Sequence, residues 1–323
     1  MRKARLIFKF GDLLLQVPLG KRLTELAVEE VSKAVLGREV EVKLLLATLV
    51  SGGHALIEGP PGLAKTTLAK AFAKALSLKF SRIQFTPDMF PSDVTGTLIY
   101  NPKTNEMETR LGPVFANIVL VDEINRAPPR TQSALLEAMQ EGQVTIGTET
   151  YALPKPFMVI ATQDPADTEG TYPLPEAELD RFTIKIEITY PSREVEAKLI
   201  DDHAMTVDSV DQVLSKADIE ALQSRAAGVR VASDVKEYML RLSEATRRNP
   251  AIRLGASPRA TQTLAKLSKA WAAIHDRDVV TIDDVKFLAT FVLPHRVFAV
   301  RGDPRDIIKK IIDETETPFL GRM

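Results

Sequence analysis

Residues 55–66, ALIEGPPGLAKT, decide how the rest of the chain is read. Ala55-Leu56-Ile57 is an apolar run bounded by glycines and too short for a helix, which makes it a buried strand. After Glu58 comes the loop Gly59-Pro60-Pro61-Gly62-Leu63-Ala64-Lys65-Thr66, with Thr67 beyond it. From Thr66 to Leu76 the residues Leu68, Phe72 and Leu76 then return at helical spacing. A strand, a glycine-rich loop and a helix in that order are the setting of a phosphate-binding loop. Main-chain N–H groups and the helix N-terminus would point at the β- and γ-phosphates, Lys65 adds a positive charge, and Thr66 offers a hydroxyl to magnesium. The position before the lysine, usually glycine, is Ala64, whose Cβ restricts φ and brings a methyl group close to the phosphates. Read alone, the stretch also suits a plain glycine- and proline-rich turn.

Further along, the apolar strand Ile118-Val119-Leu120-Val121 ends in Asp122-Glu123. A carboxylate at the end of a buried strand beside a phosphate loop can hold the water shell of magnesium, and the next one can orient and activate the attacking water. Asp122 takes the first role and Glu123 the second. A third strand, Met158–Ala161, ends in Thr162-Gln163-Asp164, which places Asp164 to sense the γ-phosphate. In Leu179-Asp180-Arg181-Phe182 the arginine lies too far along the topology to serve its own phosphates easily and suits those of a neighbouring subunit. In isolation the favoured reading is an ordinary ion pair with Asp180 or Glu178. Arg259 falls in the first turn of a helix opening at Ser257, where an arginine can report nucleotide state by pairing with a phosphate. Leu264, Leu267 and Trp271 are that helix's core stripe. The histidines His54, His203, His275 and His295 lack metal-ligand spacing.

Outward from these motifs, 23–34 and 38–50 read as helices, and Phe80–Phe85, Ile118–Val121, Phe157–Ala161 and Thr183–Ile188 join Ala55–Ile57 as strands of a parallel α/β sheet. Thr97–Arg110, around the turn Asn101-Pro102-Lys103-Thr104-Asn105, reads as an inserted hairpin. Val144–Ile146 with Glu149–Ala152 reads as a second one. After Tyr190-Pro191-Ser192 strand signals nearly stop, and 193–204, 217–227, 233–247, 257–276, 281–293 and 303–314 read as helices. The expected domains are therefore an N-terminal extension (1–20), an α/β nucleotide-binding domain (21–191) and an all-α lid (192–323).

The 323 residues suffice for about two domains with sizeable cores. Lys+Arg 42 against Asp+Glu 43 gives a net charge of -1, so no global pull towards nucleic acid or anionic membrane follows from the balance. The absence of cysteine excludes disulfides, thiolate nucleophiles and zinc fingers, and fits a cytoplasmic protein. No apolar run approaches the ~20 residues of a membrane helix. Arg2, Lys3 and Arg5 before Leu6-Ile7-Phe8 resemble an export signal only briefly, since Lys9 and Asp12 break the run.

Longer stretches carry a family resemblance: EGPPGLAKT (58–66), QFTPDMFPSDVTG (84–96), GPVFANIVLVDEINRAPPRTQSALLEAMQE (112–141), EGTYPLPEAELDRF (169–182) and LGASPRA (254–260). With them the chain resembles the MoxR branch of the AAA+ ATPases over roughly 35–312. That family's loop commonly carries alanine before the lysine. The resemblance implies Mg-dependent ATP hydrolysis, with Lys65 and Thr66 in the Walker A motif and Asp122 and Glu123 in Walker B. Arg181 is then the arginine finger, Arg259 the second sensor, and Val35 and Gly37 are further nucleotide-binding residues. The first sensor is usually asparagine there, whereas this chain has Asp164. The hairpin at 97–110 matches the clade's helix-2 insert. Also implied are a hexameric homo-oligomer and chaperone-like remodelling of a partner with a von Willebrand factor A domain, often during metal-cofactor insertion.

Two competing functions remain at this level. A nucleic-acid motor would use the hairpin to grip DNA, against which stand the near-neutral charge and the lack of a basic stripe interleaved with aromatics. A low-turnover ATP-binding switch is supported by Asp164.

Overall fold

The structure is a computed structural model that describes residues 18–165, 170–201 and 206–318. Most of the expected N-terminal extension, His203 and the end of the helix expected at 193–204 lie outside the described residues. Helices α1 (Leu19–Ser32) and α2 (Glu39–Val50) lead into strand β1 (Ala55–Glu58), then α3 (Lys65–Ala75) and β2 (Phe80–Gln84). A short helix α4 (Pro91–Thr95) introduces the hairpin β3 (Gly96–Asn101) and β4 (Glu106–Leu111), after which β5 (Ile118–Asp122) returns to the sheet. Helix α5 (Pro129–Glu141), to which the sequence pattern assigns no element, precedes the second hairpin, β6 (Gln143–Ile146) with β7 (Glu149–Ala152). Strand β8 (Met158–Gln163), the single turn α6 (Glu176–Leu179) and β9 (Ile184–Glu187) complete the α/β part.

The five sheet strands lie in the order β2-β5-β8-β1-β9 and every pairing is parallel, with Ala55 opposite both Ile160 and Ile184. Alternation along β5 shows why the sheet is held on both faces. Ile118 and Leu120 join one core with Ile57, Met158 and Ile160, while Val119 and Val121 join the other with Leu56 and Val159. All five β5 residues are buried, and each of the four aliphatic side chains contributes roughly 2 kcal/mol relative to exposure. Because all five strands run the same way, their carboxyl ends share one edge of the sheet, where ligands of open α/β folds bind.

Both hairpins project as separate two-stranded pairs. In β3–β4 the register runs from Gly96 opposite Leu111 to Asn101 opposite Glu106. The Asn101 side chain accepts from the Lys103 amide at 2.9 Å, closing the turn. Leu98, Ile99, Tyr100, Met107 and Leu111 remain exposed on this hairpin.

After β9 come α7 (Arg193–Asp201), α8 (Lys216–Gly228), α9 (Ser233–Arg248), β10 (Ile252–Leu254), α10 (Pro258–Ile274), α11 (Ile282–Val292), β11 (Phe298–Ala299) and α12 (Pro304–Glu314), the predominantly helical part that holds the lid. Ser257 caps α10 by accepting from Ala260 N–H, with Pro258 at the first helical position, and Thr281 forms a reciprocal capping box with Asp284 on α11. Beside its helices the lid carries the antiparallel ribbon β10–β11, whose strands are too short to leave an alternation in sequence. Trp271 is only partly buried, packed against the core and tilted over Phe287 at 5.0 Å between ring centroids, whereas Leu264 and Leu267 are fully buried.

Candidate functional site

Strand β1 ends near the middle of the sheet, and the turn after it has backbone requirements that its sequence meets. A Cβ at Gly59 would lie 2.5 Å from the Ile188 carbonyl oxygen, and Gly62 has φ +82°. Ala64 adopts φ 59°, a left-handed conformation that costs an L-residue about 1–2 kcal/mol. Ala64 is also the N-cap of α3 and brings no capping side chain, so the first-turn amides are left for another acceptor. Lys65 folds back over the loop and donates to the carbonyls of Pro60, at 2.8 Å, and Gly59. Burial lowers the Lys65 pKa, while the charges of Asp164, Glu123 and Glu58 oppose that shift. The loop opens onto a cavity of about 430 Å³ that Glu123, Thr162, Gln163 and Asp164 line from the ends of β5 and β8.

Asp122, nearly fully buried, is held from three sides. Its Oδ1 accepts from the Thr66 hydroxyl at 2.8 Å and from Thr162 at 3.3 Å, and its Oδ2 accepts from Arg82 Nε at 2.7 Å. Glu123 has φ 56°, its N–H donates to Thr162 Oγ1 at 3.1 Å, and its Oε2 accepts from Gln84 at 2.8 Å and pairs with Arg126 at 3.0 Å. Arg82, Gln84 and Arg126 are therefore site residues absent from the sequence-derived set. Arg82 and Gln84 share one face of β2, whose register against β5 sets Gln84 opposite Asp122, so only strand pairing reveals them.

These groups fit a magnesium-bound triphosphate. An ammonium and uncapped helix amides suit phosphate, and a hydroxyl beside a carboxylate supplies hard oxygen donors. Among the described residues no group of three or more His, Cys, Asp or Glu could hold a metal alone. That agrees with an ion taking Thr66, with Asp122 behind it, and completing its shell with phosphate and water. Such an ion would neutralise charge on the phosphates.

Arg181 and Arg259 stand elsewhere. They meet in a second cavity of about 270 Å³ with Ser51 to His54, Asp180, Thr183, Lys266 and Arg296. His54 and Thr183 immediately precede the parallel strands β1 and β9, so this cavity lies at the amino edge of the sheet, opposite the loop. Arg259 approaches Asp180 at 3.8 Å, but Asp180 mainly serves Arg296, at 2.7 Å. Glu178 instead accepts from Ser133. Neither of the ion pairs that the sequence allows for Arg181 therefore forms. Val35 is buried in the core, and Gly37, with φ +69°, packs on Val195; neither lines the phosphate cavity. Their turn reaches the loop indirectly, since Arg38 donates to the Thr189 carbonyl at 2.7 Å and the neighbouring Ile188 abuts Gly59.

A parallel sheet with this strand order, a phosphate loop at its carboxyl edge and a helical lid define a P-loop ATPase fold of the AAA+ type. In agreement, residues 54–184 match the model of the ATPase family associated with various cellular activities, and residues 244–314 match the AAA lid domain. Chaperone MoxR1 of Mycobacterium tuberculosis (strain ATCC 25618 / H37Rv) is 41% identical over 309 residues, covering 91% of this chain and 82% of that protein. The uncharacterized protein YeaC of Bacillus subtilis (strain 168) is 47% identical over 273 residues, 84% of this chain and 85% of its own. The crystal structure of a putative ATPase from Cytophaga hutchinsonii superposes with a TM-score of 0.84 at 38% identity, over 97% of this chain and 99% of the other. The chain belongs to the MoxR family of AAA+ ATPases.

Proposed function

We propose that this protein binds ATP with Mg2+ at the loop 59–67 and hydrolyses it, coupling turnover to the remodelling of a partner protein. The observation that carries this reading is the 2.8 Å contact between the Thr66 hydroxyl and Asp122, with Lys65 and Glu123 facing the same cavity. In this reading the loop amides and Lys65 hold the phosphates, Thr66 and Asp122 hold the ion, and Glu123, kept in place by Gln84 and Arg126, takes the proton from the attacking water. Asp164 faces the terminal phosphate, and Val35 and Gly37 belong to the base side of the nucleotide.

Arg181 and Arg259 act on a neighbour's nucleotide, because their cavity lies at the opposite edge of the sheet from their own loop. That requires head-to-tail association, which we assign to a hexameric ring. The exposed apolar residues of the β3–β4 hairpin suit contact with a client, and the printed name of the M. tuberculosis relative, a chaperone, points the same way. A partner with a von Willebrand factor A domain, a role in metal-cofactor insertion and a cytoplasmic location follow from the family resemblance. The domain limits proposed are 21–191 and 192–323. Among the described residues no helix is long and apolar enough to cross a membrane.

The deciding experiment measures nucleotide binding and phosphate release on two variants. Lys65→Ala loses ATP binding, whereas Glu123→Gln keeps binding and loses turnover by at least about a hundredfold, the lower range for a positioned general base. Equal loss of binding in both would contradict the assigned roles. A slowly turning switch is the second reading, favoured by the Asp164 carboxylate in the phosphate cavity.

A further inference from the structure

Arg296 is a buried arginine outside the nucleotide site, and its guanidinium is spent almost entirely on the segment that carries Arg181. It ends the short 3-10 turn Pro294–Arg296 behind α11, in the lid, and is 4% exposed. Its Nε donates to Asp180 Oδ1 at 2.7 Å, and one Nη2 donates both to the Asp180 carbonyl, at 3.2 Å, and to the Phe182 carbonyl. Nη1 donates to the Thr183 carbonyl at 3.0 Å and to the Val292 carbonyl at the end of α11 at 2.6 Å. The residues on both sides of Arg181 are thus fixed by a single side chain from another part of the fold. Next to it, His295 Nε2 lies 2.9 Å from the Phe182 carbonyl and adds to the same clamp. Burial pulls the Arg296 pKa down to about 10 and the Asp180 charge opposes this, so the guanidinium stays protonated at neutral pH.

We propose that Arg296 is the positioning residue of Arg181, setting the pose in which that arginine is offered to a neighbouring subunit and making the pose depend on the seating of the lid. This rests on the reading of Arg181 as acting in trans. Isolated buried ion pairs add little net stability, because desolvation offsets the attraction, so pose is the better account of this one. The planar fork bonds several carbonyls and a carboxylate at once, and a lysine ammonium, with three donors at one point, does not reproduce that. Displacing a reacting group by about 1 Å through a remote substitution costs about a hundredfold in rate.

Arg296→Lys is therefore expected to bind ATP as the unaltered protein does and to lose about a hundredfold in kcat with little change in KM. The discriminating measurement is subunit mixing. Arg181→Ala subunits mixed with Glu123→Gln subunits regain turnover, because the second kind presents an intact Arg181 to the active loop of the first. Arg296→Lys subunits mixed in the same way regain it to the same extent, since their own loop is sound and only their offered arginine is misplaced. Unchanged turnover in Arg296→Lys, loss of its ATP binding, or no recovery where Arg181→Ala recovers would each overturn the proposal. Undiminished turnover in Arg181→Ala would overturn instead the trans reading beneath it. Asp180→Asn keeps the main-chain bonds of the guanidinium and removes its charge partner, which Arg259 approaches more distantly at 3.8 Å. It shows the same pattern in weaker form and carries the test should Arg296→Lys not fold.

Discussion

Asp164 brings a second carboxylate, beside Glu123, into the cavity that Lys65 serves, and the Lys65 ammonium feels both charges. A terminal phosphate placed there meets more negative charge than a neutral side chain would present, and repulsion at such range weakens binding in a partly desolvated site. Asp164→Asn is accordingly expected to tighten ATP binding at least about tenfold, the equivalent of about 1.4 kcal/mol, and to raise the phosphate-release rate. Isothermal titration and steady-state release measure the two, and unaltered affinity would remove Asp164 from the phosphate environment. The loop, Asp122, Glu123 and Asp164 are legible as neighbours in the sequence because each follows an apolar strand of one parallel sheet, and their combination rather than any one of them points to the phosphate cavity. Arg82, Gln84 and Arg296 are not, because their partners Asp122, Glu123 and Asp180 are brought to them by strand pairing and lid docking.

At the scale of elements, the helix and strand alternation is readable wherever a run is long enough to show a period. The lid ribbon fails that condition, and α5 escapes because buried Thr131 and Gln132 blur its apolar face. His54 shows how the elements are joined. It precedes β1, its Nδ1 accepts from the Val159 N–H of β8 at 3.0 Å, and its Nε2 lies 3.2 Å from the Met139 carbonyl of α5. Only the neutral ring serves both contacts, since a proton on Nδ1 would face a donor. Full burial lowers its pKa from 6.5 to about 4, and burial holds His295 well below the ordinary value as well. Between those pH values the unfolded chain binds a proton that the folded one refuses, so stability falls as pH drops from 6.5 towards 4. The expected loss from His54 alone is about 3 kcal/mol, at about 1.4 kcal/mol per unit. Urea midpoints across that range measure the slope. His54→Gln is expected to flatten it in part, leaving the His295 contribution, and an unchanged slope would contradict the assignment.

The whole molecule keeps its two functional groups at opposite edges of one sheet: the loop follows the carboxyl end of β1, and Arg181 and Arg259 flank its amino end. The four residues of β1 alone separate these edges by about 13 Å, at about 3.3 Å per residue. On the proposed reading of Arg181 and Arg259, such a subunit carries half a catalytic site at each end, and copies that complete one another would associate by unlike surfaces, the geometry that closes into rings. Hydrolysis per subunit is therefore expected to rise with protein concentration and to level off once sedimentation shows full assembly. Arg181→Ala should assemble and bind ATP normally while turnover falls by about 10³ or more, the range seen for arginines supplied in trans. Turnover per subunit that does not change on dilution into the monomer range would mean that each chain completes its own site, and the assignment of Arg181 to a neighbour would then be wrong.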